Sequence, residues 1–439
     1  MNRKSTATES HMHINHANPE VNIPNRTDRL KEAVIAAFFR PSCEVAERLV
    51  EFCEADWEKA LFWLDVSGLA LYFVDCLARR GLQCCLPYEI LARLQQNLED
   101  NQKRMAALFQ ETVTISSALQ QCGVSFALLK GFTLAPDSVP DSALRFQTDI
   151  DFLIAEKDAT AALRCLNDFG YVLHAVSGTT WECKAGVLDV PDIRNLYKIH
   201  TQRSVELHLL STCARSRGGQ SQCGRLERAQ VRRIQGVMLP ALSPADLFLH
   251  QALHLFKHIC SEHTRASWML EFREHVLTRR NDRSFWREVE VLAAADKQSQ
   301  VAIGAVTLLA TQIFGDFAPE ELSHWSIQQL SPGVRLWIAM YGRRALFADF
   351  PGSKLYLLLR QQLQANTSAE ATSSRRLIFP FHLPPQITRA QTGERLSSML
   401  VRYRIQIGFV FFRLRFHLVE GLRYALESSR WQRRVTDVT

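Results

Sequence analysis

Two aspartates stand one residue apart inside an apolar run, "RFQTDIDFLI" at 145–154. In an extended strand side chains alternate faces, so Asp149 and Asp151 point one way while Ile150, Phe152 and Ile154 point the other. Two strand rises separate their Cα atoms by about 7 Å. Like charges so placed repel, and an apolar setting adds a desolvation cost to each. A divalent cation offsets both, because hard Mg²⁺ takes oxygen ligands and leaves room for phosphate oxygens. The alternation returns in "SVELHLL" at 204–210, where Glu206 and His208 share a face and Val205, Leu207 and Leu209 share the other. Glu206 thereby offers a third carboxylate. Upstream, "FALLKG" at 126–131 supplies Lys130, a point charge for a phosphate, and Gly131, whose backbone N–H a phosphate can approach. Arg145 precedes Asp149 by four residues and carries the planar fork that fits phosphate oxygens. Each piece alone is common; their joint order points to metal-assisted chemistry on a phosphate ester.

His250, His254 and His258 fall at i, i+4 and i+8 of a predicted helix, with Glu262 extending the series. Imidazoles at i and i+4 can share a metal, but i and i+8 lie about 12 Å apart along the axis and cannot. A packed polar seam is the expectation, with His254 or His258 touching the cleft.

These residues need a scaffold, and the chain is long enough for one. Its 439 residues, 47% hydrophobic, suit a globular protein of two or three packed units. Residues 1–27 are polar, lack the apolar core of a signal peptide, and are expected to be a disordered tail. Apolar residues recur at helical spacing through 28–121, predicting a bundle of four or five helices with Trp57, Phe62, Trp63, Tyr72 and Phe73 in its core. From 122 to 240 the texture changes to short β-prone runs, "VSFALL", "DIDFLI", "YVLHAV", "NLYKIH" and "SVELHLL", with one helix after the second. Helical spacing resumes over 241–363, with Ser243 or Asp246 as the candidate cap and Pro244 in the first turn. Residues 364–395 read as a proline-bearing linker, and 396–439 as a basic amphipathic helix. The fold class expected is α+β, a small mixed sheet between two helical regions.

The charge is concentrated at the end. From Arg375 onward there are twelve arginines against four acids, while the whole chain is only +7. A helix packing its aromatic face on the domain is the simplest reading of that tail; contact with an anionic surface or a nucleic acid is the other. The longest uncharged apolar window there, "IQIGFVFF", is far short of the roughly 20 residues that span a bilayer, so no transmembrane segment is expected. Eleven scattered cysteines without metal spacing suit a reducing, cytoplasmic setting.

The order of motifs resembles the uncharacterised nucleotidyltransferase family of the DNA polymerase β-like nucleotidyltransferase superfamily. The matching stretches are "LLKG" at 128–131, "R...DIDFLI" at 145–154, "LNDFGY" at 166–171 and "VELHLL" at 205–210, and the similarity extends over about residues 50–290. The resemblance implies a nucleotidyltransferase core in which Asp149, Asp151 and Glu206 are catalytic and bind Mg²⁺ or Mn²⁺. Lys130, Gly131 and Arg145 would hold the triphosphate of an NTP such as ATP. A nucleoside monophosphate would pass to a hydroxyl acceptor, in a peptide- or polysaccharide-biosynthesis context. Two other readings share the fold: an inactive nucleotide- or partner-binding module, and a toxin-like enzyme that nucleotidylates RNA or protein. Two departures stand out. The loop "FTLAPDSVPDSAL" at 132–144 has Ser138-Val139-Pro140 where the family pattern has a Tyr before the proline, making it the expected place of substrate choice. Glu271 stands where the later helix usually carries Asp.

Overall fold

A capping asparagine opens the first described helix: the Asn25 side chain accepts from the Asp28 amide at 2.8 Å at the start of Arg26–Ala36. The computed structural model describes residues 25–186, 193–210, 224–364, 378 and 396–438. Most of the expected N-terminal tail and of the 364–395 linker therefore lies outside the described residues. Helices Ser42–Leu49, Glu54–Ser67, Ala70–Arg80 and Tyr88–Gln121 complete the first helical region. Trp57, Trp63, Tyr72 and Phe73 are buried there as expected, but Phe62 is 46% exposed. The apolar stripe of that helix is narrower than its composition implies, and Phe62 falls outside it.

A single seven-stranded sheet follows, in the order β3-β4-β5-β2-β1-β7-β6. Its strands are β1 (Phe126–Leu128), β2 (Asp149–Ala155), β3 (Val172–Ser177), β4 (Thr180–Ala185), β5 (Arg203–Leu210), β6 (Gln230–Ile234) and β7 (Val237–Ala241). β2 lies between β1, antiparallel, and β5, parallel, with Asp151 directly beside Glu206 in register. The strand expected at "NLYKIH" does not form. Ile193–Asn195 is a 3-10 turn, and Tyr197 is instead held by its hydroxyl to Asp65 and its ring against Phe146. Three strands escaped the pattern reading, β4 because Glu182 and Lys184 interrupt it, and β6 and β7 because they are short and joined by a two-residue turn at Gln235-Gly236.

The sheet is apolar on one face and polar on the other. Ile150, Phe152 and Ile154 of β2 and Val205 and Leu207 of β5 are at most 1% exposed, packed with Met105, Phe109, Ile115 and Leu119 of the long helix Tyr88–Gln121 and with Leu166 of helix Ala159–Asp168. The opposite face belongs to the site. The N-terminal half of the long helix, with Ile90 and Leu94, joins a second core, in which Trp57 and Phe73 meet Phe248, Phe272, Trp286 and Trp337 of the later helices. The two helical regions thus share one apolar core, and together they fix the sheet's polar face toward helices Pro244–Ile259 and Ala266–Thr278.

No single helix among the described residues is long and apolar enough to cross a membrane. The bent pair Glu54–Ser67 and Ala70–Arg80, at 110°, meets the length and composition only jointly, and its apolar residues form the core just described.

Asp65 sits in that core at 3% exposure, accepting from Tyr197 at 3.1 Å and pairing with Arg93 at 2.9 Å. Burial pushes its carboxyl up to about 6, against the pull of Arg93 and Tyr197. A raised folded-state value means that the native protein binds the proton more tightly, so stability falls as pH rises from about 4 to 6. Two units correspond to at most about 3 kcal/mol. Asp65→Asn is expected to flatten the pH dependence of Tm across that window, which thermal melts at pH 4, 5, 6 and 7 would read.

Candidate active site

The polar face of the sheet brings the two acidic strands together. β2 contributes Asp149 and Asp151, and β5 contributes Glu206 and His208, in adjacent parallel register. Asp151 is 2% exposed, whereas Asp149 and Glu206 are half-buried. Ligand atoms of Asp151, Glu206 and His208 all lie within 4.8 Å of one another. Asp149 is outside that trio but is tied to it by Lys130, whose Nζ lies 3.3 Å from Asp151 Oδ1 and 3.9 Å from Asp149 Oδ2.

The two cations beside the acids answer an electrostatic need. His208 Nε2 lies 3.1 Å from Asp151 Oδ1 and 3.3 Å from Glu206 Oε2. Burial alone would lower its pKa, but hydrogen bonds to both carboxylates raise it to about 9. Lys130 behaves alike: burial opposes its charge, and Asp151 and Asp149 outweigh burial. Burial and the neighbouring Asp151 raise Asp149, against Lys130 and Arg145. Asp151 Oδ2 is buried without a hydrogen-bond partner. A buried carboxylate oxygen left open beside two other ligand atoms is the donor set a hard divalent cation takes.

Gly131 opens a 3-10 turn directly after Lys130, at φ 78. A Cβ there would come within 2.4 Å of Gln147 Oε1. Gln147 in turn donates to the Asp149 carbonyl at 2.6 Å, so the Lys-Gly turn is locked onto the entry of β2. Arg145 is buried, and its Nε pairs with Glu271 Oε2 at 3.2 Å, while the Tyr72 hydroxyl donates to Glu271 Oε1 at 2.9 Å. Glu271 therefore does the work of a buried counter-charge.

Two arginines absent from the sequence reading join this group. Arg104, from the long helix, stacks on Phe146 at 4.6 Å and is 9% exposed, with Nη1 buried and unpartnered. Burial and the neighbouring Arg265 lower it to about 10, and Asp149 opposes them. Arg265 covers Phe146 at 5.2 Å and Trp268 at 5.6 Å. Arg104 comes from the long helix and Arg265 from the residue that precedes helix Ala266–Thr278, both distant in the chain, and no local pattern links them to the aspartates.

The three histidines do form a seam. His254 meets His258 edge-on at 4.6 Å and Trp268 edge-on at 4.8 Å. His250 and His254 line a small cavity of about 20 Å³ with Lys130, Arg145, Gln251 and Trp268. Burial, with Arg225 and Lys130 adding, keeps His250 well below its usual range; burial and the adjacent lysines bring His258 to about 4. The seam is neutral at pH 7.

The loop expected to choose the substrate is anchored at its middle, and its Leu134 lines the cavity beside Lys130. Ser138 is 1% exposed and bonds Gln251 at 3.2 Å and His275 at 3.0 Å, while Asp137 pairs with Arg279 at 2.9 Å.

A mixed sheet that carries paired acids on one polar face, behind a Lys-Gly turn, defines a nucleotidyltransferase fold. The chain belongs to the uncharacterised nucleotidyltransferase family, whose model matches residues 53–315. A crystal structure of an antigenic nucleotidyltransferase-like protein from Paracoccidioides brasiliensis is similar to it at 14% identity and a TM-score of 0.30, covering 48% of this chain and 95% of that one. No curated protein matches the chain.

Proposed function

We propose that the protein is a metal-dependent nucleotidyltransferase that moves a nucleoside monophosphate from an NTP to a hydroxyl acceptor. The observation that carries this is the convergence of Asp151, Glu206 and His208 within 4.8 Å, with Asp149 and Lys130 alongside. Asp149, Asp151 and Glu206 would hold Mg²⁺ or Mn²⁺, with His208 as a proton-bearing neighbour. Bound there, the ion supplies Lewis acidity to the phosphate oxygens.

The chain's own residues do the rest. The acceptor oxygen attacks the α-phosphorus, the bond to the β-phosphate oxygen breaks, and pyrophosphate leaves. Glu206, half-buried at the edge of the polar face, takes the acceptor proton. Lys130, the Gly131 amide and Arg145 orient the triphosphate and neutralise charge on the leaving group. Arg104 and Arg265 add positive charge beside Asp149 that no carboxylate neutralises within ion-pair distance among the described residues. An inactive binding module is the lesser reading, because three carboxylates on strands with an apolar reverse face are costly to keep without a use.

Incubation with α-labelled NTPs, Mg²⁺ and candidate acceptors tests the reading: wild type should transfer label and Asp149→Asn should not, while His258→Ala, in the neutral seam, should keep part of the activity. Triphosphate and metal binding that is indifferent to Asp149→Asn would remove the metal assignment. Arg104→Met is expected to raise KM for the triphosphate about 10-fold or more, the size of one charge-assisted contact, with a smaller change in kcat.

A further inference from the structure

The helix Leu396–Val438 has two apolar faces, and among the described residues only one is packed. Its inner face anchors it: Phe416, Tyr424 and Trp431 are 7%, 8% and 1% exposed, and Trp431 packs on Tyr341 at 5.8 Å. Buried Glu420 accepts from Ser353 and from the Lys354 amide, and Glu427 accepts from the Tyr341 hydroxyl. The outer face carries Leu400, Tyr403, Ile407, Phe411, Leu414 and Leu418, each at least 51% exposed. Their spacing of 3, 4, 4, 3 and 4 is part of an 11-residue repeat, continued by Leu396 and Leu422. Eleven residues are just over three full turns, so the stripe runs nearly straight along the helix instead of winding round it. From Leu400 to Leu418 it is about 27 Å long.

The charges decide what fits it. Between Leu396 and Thr436 both acids, Glu420 and Glu427, turn inward to the protein, and the exposed charges are Arg404, Arg415, Arg430, Arg433 and Arg434. A second copy of the helix would bring arginine against arginine, because the flanks of the stripe offer no acid to pair with. An anionic lipid surface meets both features, taking the apolar stripe into the headgroup boundary and the arginines against the phosphates. We propose that the outer face of this helix docks the protein on anionic membranes, lying in the interface and not crossing it, a property separate from the sheet's chemistry.

Sedimentation of the full-length protein with phosphatidylcholine vesicles, with and without about 30% phosphatidylglycerol, at about 50 and 500 mM NaCl, tests this. Binding is expected to the anionic vesicles only, to fall several-fold at the higher salt, and to fall about 10-fold or more in Phe411→Glu/Leu418→Glu and several-fold in Arg404→Glu/Arg415→Glu. Both pairs of side chains are exposed, so the variants should melt as wild type. Equal binding to neutral vesicles, equal binding by the stripe variant, or no binding at all overturns the proposal. A dimer in light scattering that Phe411→Glu/Leu418→Glu dissolves would assign the stripe to a second copy, and a stripe variant that changes neither mass nor vesicle binding would leave it to the segment 379–395 of the same chain; both also overturn it.

Discussion

Asp151→Asn is expected to lower nucleotidyl transfer by about 10³-fold or more, the several kcal/mol that metal-assisted charge stabilisation contributes. Asp151 is the group on which the other charges converge: Lys130 Nζ at 3.3 Å, His208 Nε2 at 3.1 Å, and Glu206 beside it in register. It is nearly inaccessible and has one oxygen without a partner. Asparagine keeps the shape and removes the charge, so His208 loses one of the two carboxylates that raise it, and its titration should move down toward the usual histidine range. NMR titration of His208 in the variant reads that shift independently of turnover. Unchanged turnover with an unchanged His208 titration would mean that Asp151 is no centre of the site.

Gly131→Ala is the second large effect, and it acts through the backbone. The left-handed φ of 78 costs an alanine about 1–2 kcal/mol, and the collision with Gln147 Oε1 adds more. A loss of about 2–4 kcal/mol in stability is expected, with loss of triphosphate binding because Lys130 moves with the turn. Adding Gln147→Ala should recover the part due to the clash but not the part due to φ, and it also deletes the bond from Gln147 to the Asp149 carbonyl. Denaturant melts of the single and double variants separate the two contributions.

The two-residue period of β2 and β5 made the acidic face legible before any coordinates, because a strand's faces follow from its backbone alone. "DIDFLI" and "VELHLL" both obey it, and the apolar halves do pack on the long helix. Register between strands was not legible: nothing local says that Asp151 stands beside Glu206, or that β2 and β5 run parallel. His208 could be placed on the right face from spacing, but its bridge to Asp151 depends on that register. Arg104 arrives from the long helix and Arg265 from the entry to helix Ala266–Thr278, elements that the shared apolar core sets in place. In the loop at 132–144, Asp137 and Ser138 look like surface residues in the sequence, and only the facing Gln251, His275 and Arg279 make them interior. "NLYKIH" failed because one tertiary bond, Tyr197 to Asp65, overrides a weak strand preference.

Calorimetric titration of Mg²⁺ with an NTP into wild type, Asp149→Asn and Asp151→Asn is the most direct test of the metal and phosphate site. Wild type should bind the metal-nucleotide pair, and both variants should lose the metal-dependent part of that binding. Equal metal-dependent binding by all three proteins would contradict the assignment of Asp149 and Asp151.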